Sequence, residues 1–189
     1  MFKNEIGQTI PGLTIHGVPA PYGVVNERSV RATAGIMFSI GFFTLLYTFF
    51  TKDYFLLQVV VSTFFFDFFI KVLWGPKYSP LSFLGKTIVS QQKPEYVGAI
   101  QKRFAWTLGL LMSGSVLLIS IFFEIRGILP LSLCATCLSF MWLESSAGIC
   151  VGCKIYYFLI DKKIIKTPQI RPACPGGSCS LKNTKKTED

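Results

Sequence analysis

Residues 32–50, ATAGIMFSIGFFTLLYTFF, and residues 54–74, YFLLQVVVSTFFFDFFIKVLW, are two apolar runs separated only by Thr51, Lys52 and Asp53. A helix needs about 20 apolar residues to cross a hydrocarbon core about 30 Å thick. Each run is long enough for one span, and the short link makes them a tight antiparallel hairpin. Residues 104–123, FAWTLGLLMSGSVLLISIFF, supply a third span. A fourth apolar stretch starts at Ile128 and continues to Ile160, interrupted only by Glu144 and Lys154. As one helix it would be about 50 Å long, more than a bilayer is thick. It is therefore expected to tilt, bend or run out of the membrane, with Gly148 and Gly152 as the bend points.

Composition agrees with a membrane protein. Hydrophobic residues make up 51% of the 189, with 18 Phe and only 15% charged residues, and the mean hydropathy is +0.49. Soluble domains carry about a quarter charged residues. The formal charge of +9 would point to nucleic acid in a soluble chain. Here the basic residues flank the apolar runs, so topology explains the surplus. The expected partner is the lipid bilayer, with no nucleic acid. The first 31 residues are polar and hold no apolar h-region, so no secretory signal is read there.

Orientation follows from Lys and Arg. The N-terminal arm (1–31), the loop between spans 2 and 3 and the C-terminal part share one side of a four-span chain. Together they hold 16 of the 19 Lys and Arg, leaving Lys52 and Arg126 on the other side and Lys71 within span 2. The positive-inside rule then places both termini in the cytoplasm of a multi-pass inner-membrane protein. In the loop, SPLSFLGKTIVSQQ (79–92) reads as a Pro-initiated helix at the membrane surface with Leu81, Leu84 and Ile88 on one face. The fold class is all-α: a polytopic membrane four-helix bundle (residues 32–160; spans at about 32–50, 54–74, 104–123 and 128–150, the last continuing to about 160) with a short interfacial helix. Residues 161–189 read as a flexible cytoplasmic tail.

Two features inside the spans carry charge. Asp67 and Lys71 are four apart and share a helix face. A structural pair, with Lys71 snorkelling to the interface, is favoured over an ion path. Glu144 has no base beside it in sequence, so it must meet another helix, lie protonated or face water. A step of about 100° per residue puts it on one stripe with Cys134, Cys137, Met141 and Gly148. That stripe is either a thiol–carboxyl site, with Glu144 trading protons with a thiol, or a small-residue packing face.

All six cysteines occur in pairs: Cys134/Cys137, Cys150/Cys153 and Cys174/Cys179. The first reading is thiol–disulfide or sulfur-transfer chemistry. Lys154 beside Cys153 would raise thiolate character, and the Pro-Gly-Gly between Cys174 and Cys179 lets that pair close and exchange with Cys150/Cys153. Cys134/Cys137 would lie about 20 Å away along a straight helix, too far for direct exchange. The second reading is a metal site. Cys150-x2-Cys153 followed by Cys174-x4-Cys179 matches four-thiolate zinc spacing, and thiolates also suit copper(I). The lone His16 adds little to either. The third reading takes the cysteines as small apolar residues at home in a span, with more weight for Cys134 and Cys137 than for Cys150, Cys153, Cys174 and Cys179. Whether the chain is an enzyme stays open.

Three stretches carry a resemblance: VNERSVRATAG (25–35), KRFAWTLGL (102–110) and LESSAGICVGCKIYYFL (143–159). On them the chain resembles a bacterial integral-membrane family known as domain of unknown function 4395, over roughly residues 24–160. The most specific motif maps onto Glu144, Cys150, Gly152, Cys153 and Tyr156, while the Cys134/Cys137 and Cys174/Cys179 pairs fall outside the pattern. The resemblance implies a small membrane protein found alongside thioredoxin-like or rhodanese-like sulfur proteins and implies no established activity. A function resting on the thiols is therefore expected at Cys150, Cys153, Cys174, Cys179 and Glu144, with soft-metal binding or transport and a non-catalytic scaffold as alternatives.

Overall fold

A computed structural model of the chain describes residues 7–15, 17–19 and 22–165. Cys174, Cys179 and His16 lie outside the described residues.

Four helices are long and apolar enough to cross a membrane. β1 (Thr14–Ile15) and β2 (Val18–Pro19) pair antiparallel ahead of them. β3 (Val24–Asn26) then leads directly into α1 (Glu27–Thr51). The turn into α2 (Phe55–Leu73) is tight, as its three-residue length requires. Lys52 takes a left-handed conformation at φ 58°, its N–H returning to the Thr48 carbonyl. Asp53 Oδ1 then accepts the Phe55 N–H at 2.9 Å.

A 3-10 turn (Pro76–Tyr78) and α3 (Pro80–Ile88) follow, then β4 (Tyr96–Gly98) and α4 (Ala99–Leu117). α4 runs on through one π-helical turn, Leu118–Phe122. α5 (Ile128–Ala147) is the fourth long helix, and a separate α6 (Val151–Asp161) packs against α4. α1 lies against α5, α3 and α2, while α2 lies against α4.

Two clusters form the interior. One gathers Met37, Phe64, Phe68, Trp106, Leu138 and Met141 under the β3–β4 ribbon. The other gathers Tyr54, Leu57, Val61, Val116 and Cys134. Phe43, Phe50, Phe66, Leu111 and Phe122 stay exposed on the outer surfaces of the long helices. Large apolar side chains facing outward in this number are what lipid accommodates and water does not.

Three boundaries differ from the hydropathy reading. α1 begins at Glu27 and α4 at Ala99, each five residues before the apolar run starts. Hydropathy marks where a helix turns apolar, but backbone hydrogen bonds mark where it starts. β3 and β4 pair antiparallel, Val25 opposite Val97, and the Asn26 side chain accepts the N–H groups of Arg28 and Glu95. The polar first turns of both helices are thereby clamped together. The third is at the end of α5: the left-handed φ of 67° at Gly148, one of the two expected bend points, ends that helix, and the stretch to residue 160 belongs to the separate α6. Gly152, the other expected bend, lies within α6 and packs on Ala105, where an added Cβ would stand 2.6 Å from the Ala105 Cβ.

The charge pair in α2 is an anchor. Lys71 Nζ lies 2.6 Å from Asp67, and both side chains are at most 4% exposed. Lys71 therefore does not snorkel, because its amine is held by Asp67 and reaches Met37 Sδ at 3.9 Å. Asp67 Oδ1 also accepts the Ser79 hydroxyl and the Leu81 N–H, fixing the start of α3. On α3, Leu81, Ser82 and Gly85 face inward, whereas Phe83, Leu84 and Ile88 are exposed. The expected shared face of Leu81, Leu84 and Ile88 is thus split, because Gly85 gives the closest approach to Ser29 and Thr33 of α1.

Candidate functional site

The site begins at the elbow between α5 and α6. Gly148 closes α5 with its N–H on the Leu143 carbonyl, and Arg31 Nη2 donates to the Ser145 and Ser146 carbonyls at 3.4 Å. A guanidinium at a helix C-terminus answers both the orphan carbonyls and the negative end of the dipole. Any Cβ on residue 148 would meet that guanidinium at about 3.1 Å.

Two residues later α6 starts, and Cys150 is its N-cap. Its backbone is extended (φ −82°, ψ 103°), and its Sγ accepts the Cys153 N–H at 3.4 Å. This geometry follows from the spacing: the N-cap side chain reaches the N–H of the third helical residue. The same reach brings the two sulfurs together. Cys150 Sγ and Cys153 Sγ are 2.7 Å apart, both thiols are free, and both residues are buried. A disulfide requires about 2.05 Å, so bond formation needs a shift of only about 0.7 Å.

Beside the dithiol lies a buried ion cluster. Lys102 Nζ is 2.7 Å from Glu27 Oε2 and 2.7 Å from Glu144 Oε1. Lys102 and Glu27 are closed to solvent, while the Glu144 side chain is 18% exposed. The β3–β4 ribbon places Glu27 and Lys102 at the starts of their helices, and α5 brings Glu144 in from the far side. Lys102 also lies within electrostatic range of Cys150 and Cys153. The hydrogen bond with Cys153, then burial, push the Cys150 thiol above its ordinary value; Glu144 adds to this and Lys102 opposes it. Cys150 therefore rests as a neutral thiol at neutral pH. Tyr156, whose ring lies tilted against Phe104 with centroids 5.5 Å apart, has its phenol raised by burial.

Of the residues expected from sequence, Cys150, Cys153 and Glu144 meet here. Of the three options for Glu144, the structure takes the first: it meets Lys102 on another helix. The cation acting on Cys150 is likewise Lys102, since Lys154 is exposed. Cys134 and Cys137 do not join the site. Cys134 packs among apolar side chains of α2 and α4, Cys137 against the core, and ten residues of α5, about 15 Å, separate Cys137 from the elbow. Among the described residues no group of three His, Cys, Asp or Glu is placed to hold a metal. Cys150 and Cys153 supply two thiols, and the other two of the four-thiolate reading are outside the described residues.

Sequence reasoning missed Glu27, Arg31 and Lys102 as site residues. Their signal was in the three stretches quoted above, each of which contributes charge to this one cluster. Neither the curated proteins nor the solved structures gave a match to the chain. A family model described as a domain of unknown function, DUF4395, matches residues 25–161, from β3 to the end of α6. With that match spanning every residue of the site and most of the sequence, the chain belongs to the DUF4395 family.

Proposed function

We propose that this is a multi-pass membrane protein carrying out thiol–disulfide or sulfur-transfer chemistry at the cytoplasmic face, with Cys150 and Cys153 as the reacting dithiol. The observation that carries the reading is the 2.7 Å approach of two reduced, buried sulfurs at a helix N-terminus. In exchange with a disulfide R–S–S–R′, one thiol displaces R′SH to give a mixed disulfide. The second then displaces RSH, leaving the Cys150–Cys153 bond and two reduced product thiols. Cys174 and Cys179 form a second dithiol of the same chain suited to such exchange, and thioredoxin-like or rhodanese-like proteins have the matching chemistry as external partners. A cytosolic dithiol rests reduced, which fits a bond that forms only in turnover.

The test is thiol counting on full-length protein treated with chelator, with metal content measured alongside. Oxidation by a small disulfide is expected to remove two hydrogens from the peptide holding Cys150 and Cys153, reversibly, and not in Cys150→Ser. Zinc or copper bound stoichiometrically and lost in Cys150→Ser would favour the metal reading instead. Thiols that alkylate freely with no oxidisable pair would defeat both.

A further inference from the structure

The ion cluster poses a problem that the dithiol alone does not explain. A buried lysine with two carboxylates is costly to desolvate, and apolar residues of similar volume are often as stable. Its two acids are also unequal: Glu27 is sealed, whereas Glu144 keeps an edge at solvent. Gly152 presses the first turn of α6 onto Ala105, one turn beyond Lys102 on α4, so the dithiol and the cation are held in a fixed relation. The charged and titratable groups in electrostatic range of them are Glu27 and Arg31 from α1, Lys102 from α4, Glu144 from α5 and Cys153 from α6. On the α2 side Lys71, paired with Asp67, lies within electrostatic range of Glu144.

We propose that Glu27, Lys102 and Glu144 form a charge-conserving proton device for the dithiol, in which Glu144 takes the Cys150 proton while Lys102, held by Glu27, balances the thiolate. This rests on the thiol-exchange reading and adds what makes exchange feasible in a buried site. Creating a thiolate there by releasing a proton to bulk would add a net negative charge to a low-dielectric pocket. Internal transfer adds none: Glu144 becomes neutral as Cys150 becomes negative, and Lys102 passes from one anion to the other. The thiolate then attacks the substrate disulfide, and the leaving thiolate R′S⁻ takes the proton from Glu144. Cys153 repeats the cycle to release RSH. Protons and electrons balance, with two thiol hydrogens ending on the two products. Glu144 is the proton carrier, and Lys102 and Glu27 are positioning residues.

The test is the rate at which iodoacetamide alkylates Cys150 in full-length, chelator-treated protein, followed by peptide mass spectrometry from neutral to mildly alkaline pH. Glu144→Gln keeps an oxygen toward Lys102 and is chosen to preserve the fold. The device predicts that this variant slows alkylation at least about tenfold at neutral pH, with a rate that climbs in proportion to hydroxide. A bystander carboxylate predicts the opposite sign, because removing its charge eases thiolate formation. An unchanged or faster Glu144→Gln rate overturns the proposal. Lys102→Met is expected to slow alkylation too, and its failure to fold leaves the Glu144→Gln comparison decisive. The two readings fail separately. Glu144→Gln that still oxidises reversibly but alkylates as fast as the parent sinks the device alone, whereas a parent that forms no disulfide sinks the exchange reading.

Discussion

Lys102 shows what one residue can reveal and conceal. In sequence it is one of several positive residues in a loop; in the structure it is sealed between two carboxylates. Sequence left Glu144 three options, a partner on another helix, a proton or contact with water, because a lone carboxylate in a span is costly. It could not say which helix supplied the partner, since residues 42 positions apart meet only through packing. Substituting Lys102 by Met leaves Glu27 buried without its cation. Breaking such a pair costs about 3–5 kcal/mol, so denaturation of Lys102→Met should reveal a loss of that size, with a smaller loss for Glu144→Gln. Cys150 gives a pH prediction. The folded chain holds its proton more tightly than an unfolded chain, whose thiol titrates near 8.5. The corresponding stabilisation is fully present below about pH 8.5 and is lost as pH rises from there through the folded value. Thermal unfolding midpoints should therefore fall more steeply in alkali for the parent than for Cys150→Ser; equal slopes would show that Cys150 is not held as the thiol.

At the scale of elements, the long helices were legible because apolar composition alone decides them. Their true starts were not, because two three-residue strands set them. Val24–Asn26 and Tyr96–Gly98 are too short for alternation to stand out, and each finds its partner about 70 residues away. Asn26 joins both halves of that clamp, and Asn26→Ala should cost about 1 kcal/mol, the usual value of an N-cap, read as a lower unfolding midpoint. The elbow was half legible. A 33-residue apolar stretch had to tilt, bend or leave the membrane, and Gly148 was one of two named bend positions, but only packing separates its role from that of Gly152. Gly152→Val would drive α6 off Ala105. The expected result is faster alkylation of Cys150 and Cys153 together with slower disulfide closure, since the sulfurs gain exposure and lose their fixed approach.

For the whole molecule, the four long helices and their outward phenylalanines agree with the hydropathy reading, while the site is assembled from α1, α4, α5 and α6 at the end where α1 and α4 begin. That convergence was not legible, because it depends on which ends of four helices meet. The distribution of Lys and Arg predicts that this end faces the cytoplasm. A membrane-impermeant thiol reagent applied to intact cells should label a cysteine introduced at Asp53, in the α1–α2 turn, and spare one at Lys93, near the ribbon; the reverse pattern would invert the topology. If Cys150 and Cys153 form one redox couple, as proposed, a redox titration of full-length, metal-free protein against glutathione buffers, scored by peptide mass spectrometry, will show it. A reversible two-electron transition confined to the Cys150–Cys153 peptide, and absent in Cys153→Ser, is the expected result. Two thiols that stay reduced across the whole range, or that oxidise only to mixed glutathione adducts without pairing, would contradict it.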